Sequence, residues 1–473
     1  MLAKFKDEFA PVQLRLIHLV IAIYAFWEAW DGARRLRHGL LKSLLFGGLG
    51  LIHGVVPCVG PAWYDRTVDP LSVHYAAALY CLFGILLLGA GWHIYQSVFP
   101  EPDCTLAFDV LHQDRYQTKL NTLFVICAVV GVIAWLGWIY ASGVTLATVL
   151  SAKRLELREQ RAGLLGAIWG NLFYIAYFPG FLAPFLKGKF RYAGFIFPVV
   201  FALVLFVFSR GTRGPAIGML GSLIGGMIFA HRISLERLFT ATIAFSVIGL
   251  LTVAMLPLRH RMHNMTTGEM VTFVFSAEAY QDALTHDPLN YHDHFVGICA
   301  LFPEFEPYVE GASYRRLAFF FLPGDQFPGL KPRDPNRIVA VALFGQKAIE
   351  NNMMHPPGVF GDWYINFWGW TGLPAMALEG MFLAWVSRRI ATNPWFLIAL
   401  GPQAIYLSVI GLRGQPYTVG LASLLMLSLS YFLLTALGLP RSPVAAPVAK
   451  PLLTLTPAKR PMVVPAYAMR KAA

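Results

Sequence analysis

Charge is what this chain has least of. Only 14% of its 473 residues are Asp, Glu, Lys or Arg, while 56% are hydrophobic. A soluble chain carries nearer ~25% charged residues. Cysteine is also scarce. There are five, with no CxxC spacing, which argues against a thiolate metal site. Most lie in or beside apolar segments, where cysteine acts as a small hydrophobe; a Cys58–Cys299 disulfide across the outer face is the alternative. Cys58, Cys81, Cys104 and Cys127 are evenly spaced, but no other residue repeats with them, so no internal repeat is read. Acidic residues are absent after Leu439. A cleavable leader is not expected, because the first apolar segment lacks a small-residue cleavage site and is followed by Arg34, Arg35 and Arg37.

What is present is long apolar blocks between short basic segments, with a mean hydropathy of +0.55. In lipid a backbone must satisfy its own hydrogen bonds, which selects helices. The chain therefore reads as an all-α polytopic integral membrane protein. The net charge of +12 suits anionic headgroups and not nucleic acid, because the cations cluster in short loops and in the tail.

Clear spans by length and apolarity are Tyr75–Tyr95, Leu123–Ala141, Leu164–Leu186, Tyr192–Phe208, Pro215–Ala230, Leu238–Leu258, Tyr364–Val386, Trp395–Leu412 and Val419–Leu439. Leu16–Trp30 and Leu44–Val59 are shorter and carry Glu28 and His53, which are expensive in hydrocarbon. The expectation is about eleven transmembrane helices, within a range of roughly 10–12. The chain divides into N-terminal helices (1–258), a large polar loop (259–362), C-terminal helices (363–439) and a Pro- and Lys-bearing tail (440–473) expected to be disordered.

Orientation follows from Lys and Arg in short loops. With the tail in the cytoplasm, the inside loops hold Arg34, Arg35, Arg37 and Lys42, then Arg115 and Lys119, then Lys187, Lys189 and Arg191, then Arg232 and Arg237, then Arg388 and Arg389. The large loop then faces outward. So do Arg210, Arg213 and Arg413, which break the inside bias and call for a reason.

Arg210 and Arg213 stand at i, i+3 in SRGTRG, between glycines. Guanidinium forks grip phosphate oxygens two at a time. The alternative is interfacial snorkelling. Arg315 and Arg316 precede an apolar run too short to span, so they read either as an amphipathic anchor or as a second phosphate contact. Arg413, in GLRGQPY, joins the anion-facing set. His355, Asp362 and Tyr364 surround the start of the next span in HPPGVFGDWYINFWGWTGLPAM. An imidazole or carboxylate there could take a proton from a hydroxyl nucleophile, and Asp362 could instead cap the helix. His355 is the better base, because an imidazole titrates near ~6.5 without tuning.

His286, Asp287, His292, Asp293 and His294 carry metal-ligating types but match no helical pair such as HExxH. No metal is expected there. Glu304, Glu306 and Glu310 read as a solvated face. Glu379 lies within an apolar span and is expected to pair with Arg388 or another helix.

Several motifs, in this order, resemble the Wzy-type O-antigen and exopolysaccharide polymerases: VDPLSVHYAAALYCLFGILLLGAGWHIY, the Arg158–Arg161–Gly163 loop, KGKFRY, SRGTRGPAIGML, YRRLAFFFLP and PPGVFGDWYINFWGWTGLPAM. The resemblance covers roughly Asp69 to Leu439. Where the family has Asn-Phe-Gly, this chain has Asn366-Phe367-Trp368-Gly369.

The resemblance implies a GT-C-type glycosyltransferase with one large periplasmic loop, multi-pass in the bacterial inner membrane and related to O-antigen ligases. Its reaction would polymerise oligosaccharide repeat units carried on undecaprenyl diphosphate into O-antigen, capsule or exopolysaccharide. Arg210 and Arg213 would hold the diphosphate, with Arg315, Arg316 and Arg413 completing the clamp. His355 or Asp362 would activate the acceptor hydroxyl. No metal and no cofactor are implied. The expected partners are the lipid-linked oligosaccharide, membrane lipid, a flippase and a chain-length regulator. A ligase-like transferase shares these features. A polysaccharide transporter or flippase should instead show an internal repeat.

Overall fold

The computed structural model describes residues 12–59, 71–100, 107–141, 168–170, 172–208, 214–230, 272, 276, 291–319, 332–350, 355–403, 412 and 427–439. Every regular element among them is helical. Among the described residues, four helical stretches are long and apolar enough to cross a membrane: Val12–Arg34, His38–Cys58, Leu71–Val98 and Asp114–Ala141. The protein is thus a helical membrane protein. The span Leu238–Leu258 and the tail 440–473 lie outside the described residues.

The two segments that looked too short are full-length. Helix α1 runs Val12–Arg34 and α2 runs Leu36–Leu49, continuing through a π-helical turn at Gly50–Val55 into Val56–Val59. They pack antiparallel along a seam of small residues. A Cβ on Gly39 would stand 2.1 Å from the Gly32 carbonyl oxygen, and one on Gly54 would stand 2.7 Å from Ala22. Backbones approach this closely only where the side chains are minimal.

Glu28, one of the two residues that made these segments look doubtful, is compensated by a neighbouring cation. Lys42, 1% exposed, reaches Glu28 at 2.5 Å and Asp31 at 2.6 Å. Arg35 pairs with Asp31, and His93 of the next helix reaches Glu28 at 2.9 Å. Lys42 is therefore not a headgroup-facing cation as the loop count assumed. It compensates the buried Glu28 and the half-buried Asp31; for Glu28, desolvation without such a partner would be costly.

Helix α3 (Leu71–Val98) lies beside α1 and against a helix of the C-terminal part, Leu373–Thr392. The contact is backbone to backbone. A Cβ on Gly380 would meet the Leu88 carbonyl oxygen at 2.1 Å, and one on Gly91 would meet that of Ala377 at 1.9 Å. Helix α4 (Asp114–Ala141) packs on short helical turns from Phe173 to Phe185, in which α5 (Tyr177–Leu182) contacts both α6 (Gly188–Phe208) and α7 (Gly214–Phe229).

The connecting segments sort to opposite ends of this bundle. Lys187 bonds Asp114, and Gln117 bonds the Phe185 carbonyl. Lys119 reaches the Gly438 carbonyl, Ser387 that of His38, and Arg388 that of Phe99. The basic loops around 35–42, 114–119, 187–191 and 388–389 thus share one end. The opposite end carries the helices of the large loop: α8 (Tyr291–Leu301), α9 (Ala312–Ala318), α10 (Pro335–Phe344) and α11 (Gly358–Asn366).

The expected span Tyr364–Val386 is not one helix. Helix α11 ends at Asn366, Trp368 and Gly369 take left-handed backbone angles (φ 55° and 66°), and a 3-10 turn at Gly369–Gly372 precedes α12 (Leu373–Thr392). A left-handed non-glycine residue is uncommon and strained. Helix α13 (Pro394–Leu400) runs on into a 3-10 turn at Gly401–Gln403, Asn393 caps it by accepting from the Trp395 and Phe396 amides, and most of the rest of the expected span Trp395–Leu412 lies outside the described residues. Cys58 and Cys299 are both free thiols, so the possible bridge between them is not formed.

Candidate functional site

The loop-end helices meet at α11. A buried polar network joins α9 to it. Ser313 donates its hydroxyl to Asp362 Oδ1 at 2.8 Å. Asn366 donates from Nδ2 to Ser313 Oγ at 2.9 Å and to the Asp362 carbonyl at 2.7 Å, and its Oδ1 accepts from the Ser313 amide at 3.2 Å. The Val309 and Gly311 amides donate to the Ile365 and Asn366 carbonyls. Asp362, Ser313 and Asn366 are all buried.

Asp362 is not the helix cap. It is the fifth residue of α11, whose cap position is Pro357, without a side-chain bond. Burial pushes its carboxyl up to about 8; the Ser313 hydrogen bond opposes this and the neighbouring Glu379 adds to it. Burial thus favours the protonated carboxyl near neutral pH.

His355 is buried as well. Its Nε2 lies 2.8 Å from His294 Nδ1, with ring centroids 4.0 Å apart in an edge-to-face arrangement. Tyr291 and Phe344 flank the ring, and the His355 amide donates to the Asn336 carbonyl. His355 thereby ties the start of α11 to α8 and α10.

The two loop arginines diverge. Arg316 pairs with Asp334 at 3.1 Å and donates to the Pro332 carbonyl at 2.8 Å. Arg315 is exposed and has no ion pair among the described residues. Arg210, Arg213 and Arg413 lie outside the described residues, as do His286 and Asp287.

The rest of the expected histidine cluster splits across α8. His294 faces His355. His292, two residues away and so on the opposite face of the helix, meets His53 and Cys81. Glu379 accepts from the Trp363 indole at 2.5 Å, whereas Arg388 binds the Phe99 carbonyl; the expected Glu379–Arg388 pair is not seen. Glu304 and Glu310 are exposed and Glu306 is half-buried.

Open space lies at the bend between α11 and α12. One cavity of about 270 Å³ is lined by Ser72, Val73, Ala76, Cys299, Tyr364 and Trp370. A second, of about 390 Å³, is lined by Phe367, Trp368, Thr371 and Ala375. Trp368 and Trp370 are 56% and 43% exposed. Such an aromatic ledge with a few hydroxyls suits an amphipathic ligand at a membrane surface.

Sequence reading missed Ser313, His294 and Trp363 as partners of the chosen residues, since nothing in their local spacing marks them. Compared with protein-family models, curated proteins and solved structures, the chain matches none at a significant level.

Proposed function

We propose that this protein is a membrane glycosyltransferase that polymerises undecaprenyl-diphosphate-linked oligosaccharide repeat units at the periplasmic face of the bacterial inner membrane. The observation that supports it best is local. An arginine-bearing helix, α9, is locked by Ser313–Asp362–Asn366 onto the mouth of a bent helix pair, beside exposed tryptophans. A fixed cation at such a mouth stabilises the negative charge on a departing diphosphate, and the ledge offers stacking surface to sugars or prenyl chain.

In this reading Arg315 contacts the diphosphate, together with Arg210, Arg213 and Arg413. Arg316 acts as a positioning residue through Asp334. The acceptor proton goes to the His355–His294 pair, since burial disfavours the ionised form of Asp362 that a base would need. The transfer step calls for no metal. The end that gathers the basic loops is cytoplasmic under the inside bias of Lys and Arg.

The test is reconstitution of the purified chain with lipid-linked repeat units. Polymer on the lipid carrier supports the proposal. Glycan delivered to another acceptor would make it a ligase, and substrate crossing the bilayer unchanged would make it a transporter. Asp362→Asn should stay active, while His355→Ala should lower the rate and spare donor binding. The reverse pattern would transfer the base role to Asp362.

A further inference from the structure

Three donor atoms from distant parts of the chain converge in the core between the spanning helices and α8. His53 Nδ1 and His292 Nδ1 are 3.3 Å apart. Cys81 Sγ lies 3.6 Å from the first and 4.0 Å from the second. All three residues are buried. Around a tetrahedral zinc, with Zn–N of about 2.0–2.1 Å and Zn–S of about 2.3 Å, two nitrogens stand about 3.4 Å apart and a nitrogen and sulfur about 3.6 Å apart.

The backbone is shaped for this meeting. Pro57 has no N–H, so it cannot donate to the His53 carbonyl four residues back. The helix opens there into the π-helical turn Gly50–Val55, which contains His53. Single π turns recur at functional sites. The His53 carbonyl accepts instead from His18 Nδ1 at 2.8 Å, which ties the turn to α1. His18 also sets its ring edge-on to His292, with centroids 4.5 Å apart.

We infer that His53, Cys81 and His292 bind a zinc ion that clasps α2 and α3 to loop helix α8. Zinc binding converts the Cys81 thiol to thiolate and releases its proton to solvent. Two imidazoles and a thiolate leave a fourth position for water. The clasp fixes the face of α8 opposite His294. It does not depend on the proposed transferase reading, and its test does not use activity.

The full chain, produced with zinc and purified in detergent, should carry one zinc per chain by elemental analysis. Cys81→Ala and His292→Ala should lose it. Cys127→Ala, a buried thiol elsewhere, should keep it. If the variants do not fold, zinc-edge X-ray absorption on the wild-type protein reads the ligands directly, with one sulfur and two imidazoles expected. Cobalt substitution should add a sulfur-to-cobalt charge-transfer band in the near ultraviolet. A metal-free wild type, zinc retained by Cys81→Ala, copper in place of zinc, or a zinc shell without sulfur would overturn the assignment.

Discussion

Trp363 donates its indole N–H to Glu379 at 2.5 Å, across the bend that separates α11 from α12. The bond fastens the last helix of the large loop to the membrane helix that follows. Trp363→Phe keeps an aromatic ring to stack on Phe367 but removes the donor. A hydrogen bond of ordinary worth contributes about 0.5–1.5 kcal/mol. Thermal unfolding in detergent should show Trp363→Phe less stable, while Glu379→Gln, which keeps an accepting oxygen, stays closer to wild type.

Asp362 sets a pH dependence of stability. Its folded-state pKa, raised by burial to about 8, lies above the ~3.9 of an unfolded aspartate. Between those values the folded protein holds a proton that the unfolded chain releases. Stability from this group is therefore full below ~4 and falls as pH rises toward 8. Asp362→Asn removes the titration and still offers Ser313 an acceptor. The gap in melting temperature between variant and wild type should move in favour of the variant from pH 5 to pH 8. A gap that stays constant would show that Asp362 is charged in the folded protein.

Arg315 and Arg316 should fail differently. Arg315→Lys keeps charge but loses the planar fork, and removal of one transition-state donor costs about 10²–10³ in rate. Its melting temperature should be unchanged, because the side chain is exposed. Arg316→Lys disturbs the contacts to Asp334 and Pro332, so it should lower stability first. Turnover and unfolding measured on the same preparations separate the two; equal turnover of Arg315→Lys and wild type would remove Arg315 from the clamp.

Lys42→Met leaves Glu28 and Asp31 without their buried cation. Breaking a buried pair from one side costs about 3–5 kcal/mol. The double variant Glu28→Gln/Lys42→Met removes charge from both sides and should recover part of that loss. A double-variant cycle on unfolding temperature reads the coupling. Additive losses would mean that the pair does not interact.

Much of this was legible along the chain. Apolar run length located the spanning helices at Leu71–Val98 and Asp114–Ala141 but undersized the first two, and short basic loops named the segments that gather at one end. Pairings across the fold were not legible. Glu28 looked prohibitive because its partner Lys42 is on another helix. Of the two expected partners for Glu379, Arg388 or another helix, the structure gives the second: Trp363, on the helix before the bend. The bend itself follows from Trp368 and Gly369, whose left-handed angles interrupt an otherwise helical pattern.

The sequence by itself determined the class. With 14% charged residues in a chain of long apolar runs, the backbone must bond to itself, and helices in lipid are the result. It also supplied every residue type the proposals use. Tertiary structure decided which of them meet. His292 and His294 are two apart in sequence, yet α8 turns them to opposite faces, one toward Cys81 and His53 and the other toward His355. That separation follows from helical geometry, while the partners on each side come from residues up to 239 positions away, beyond the reach of any local pattern.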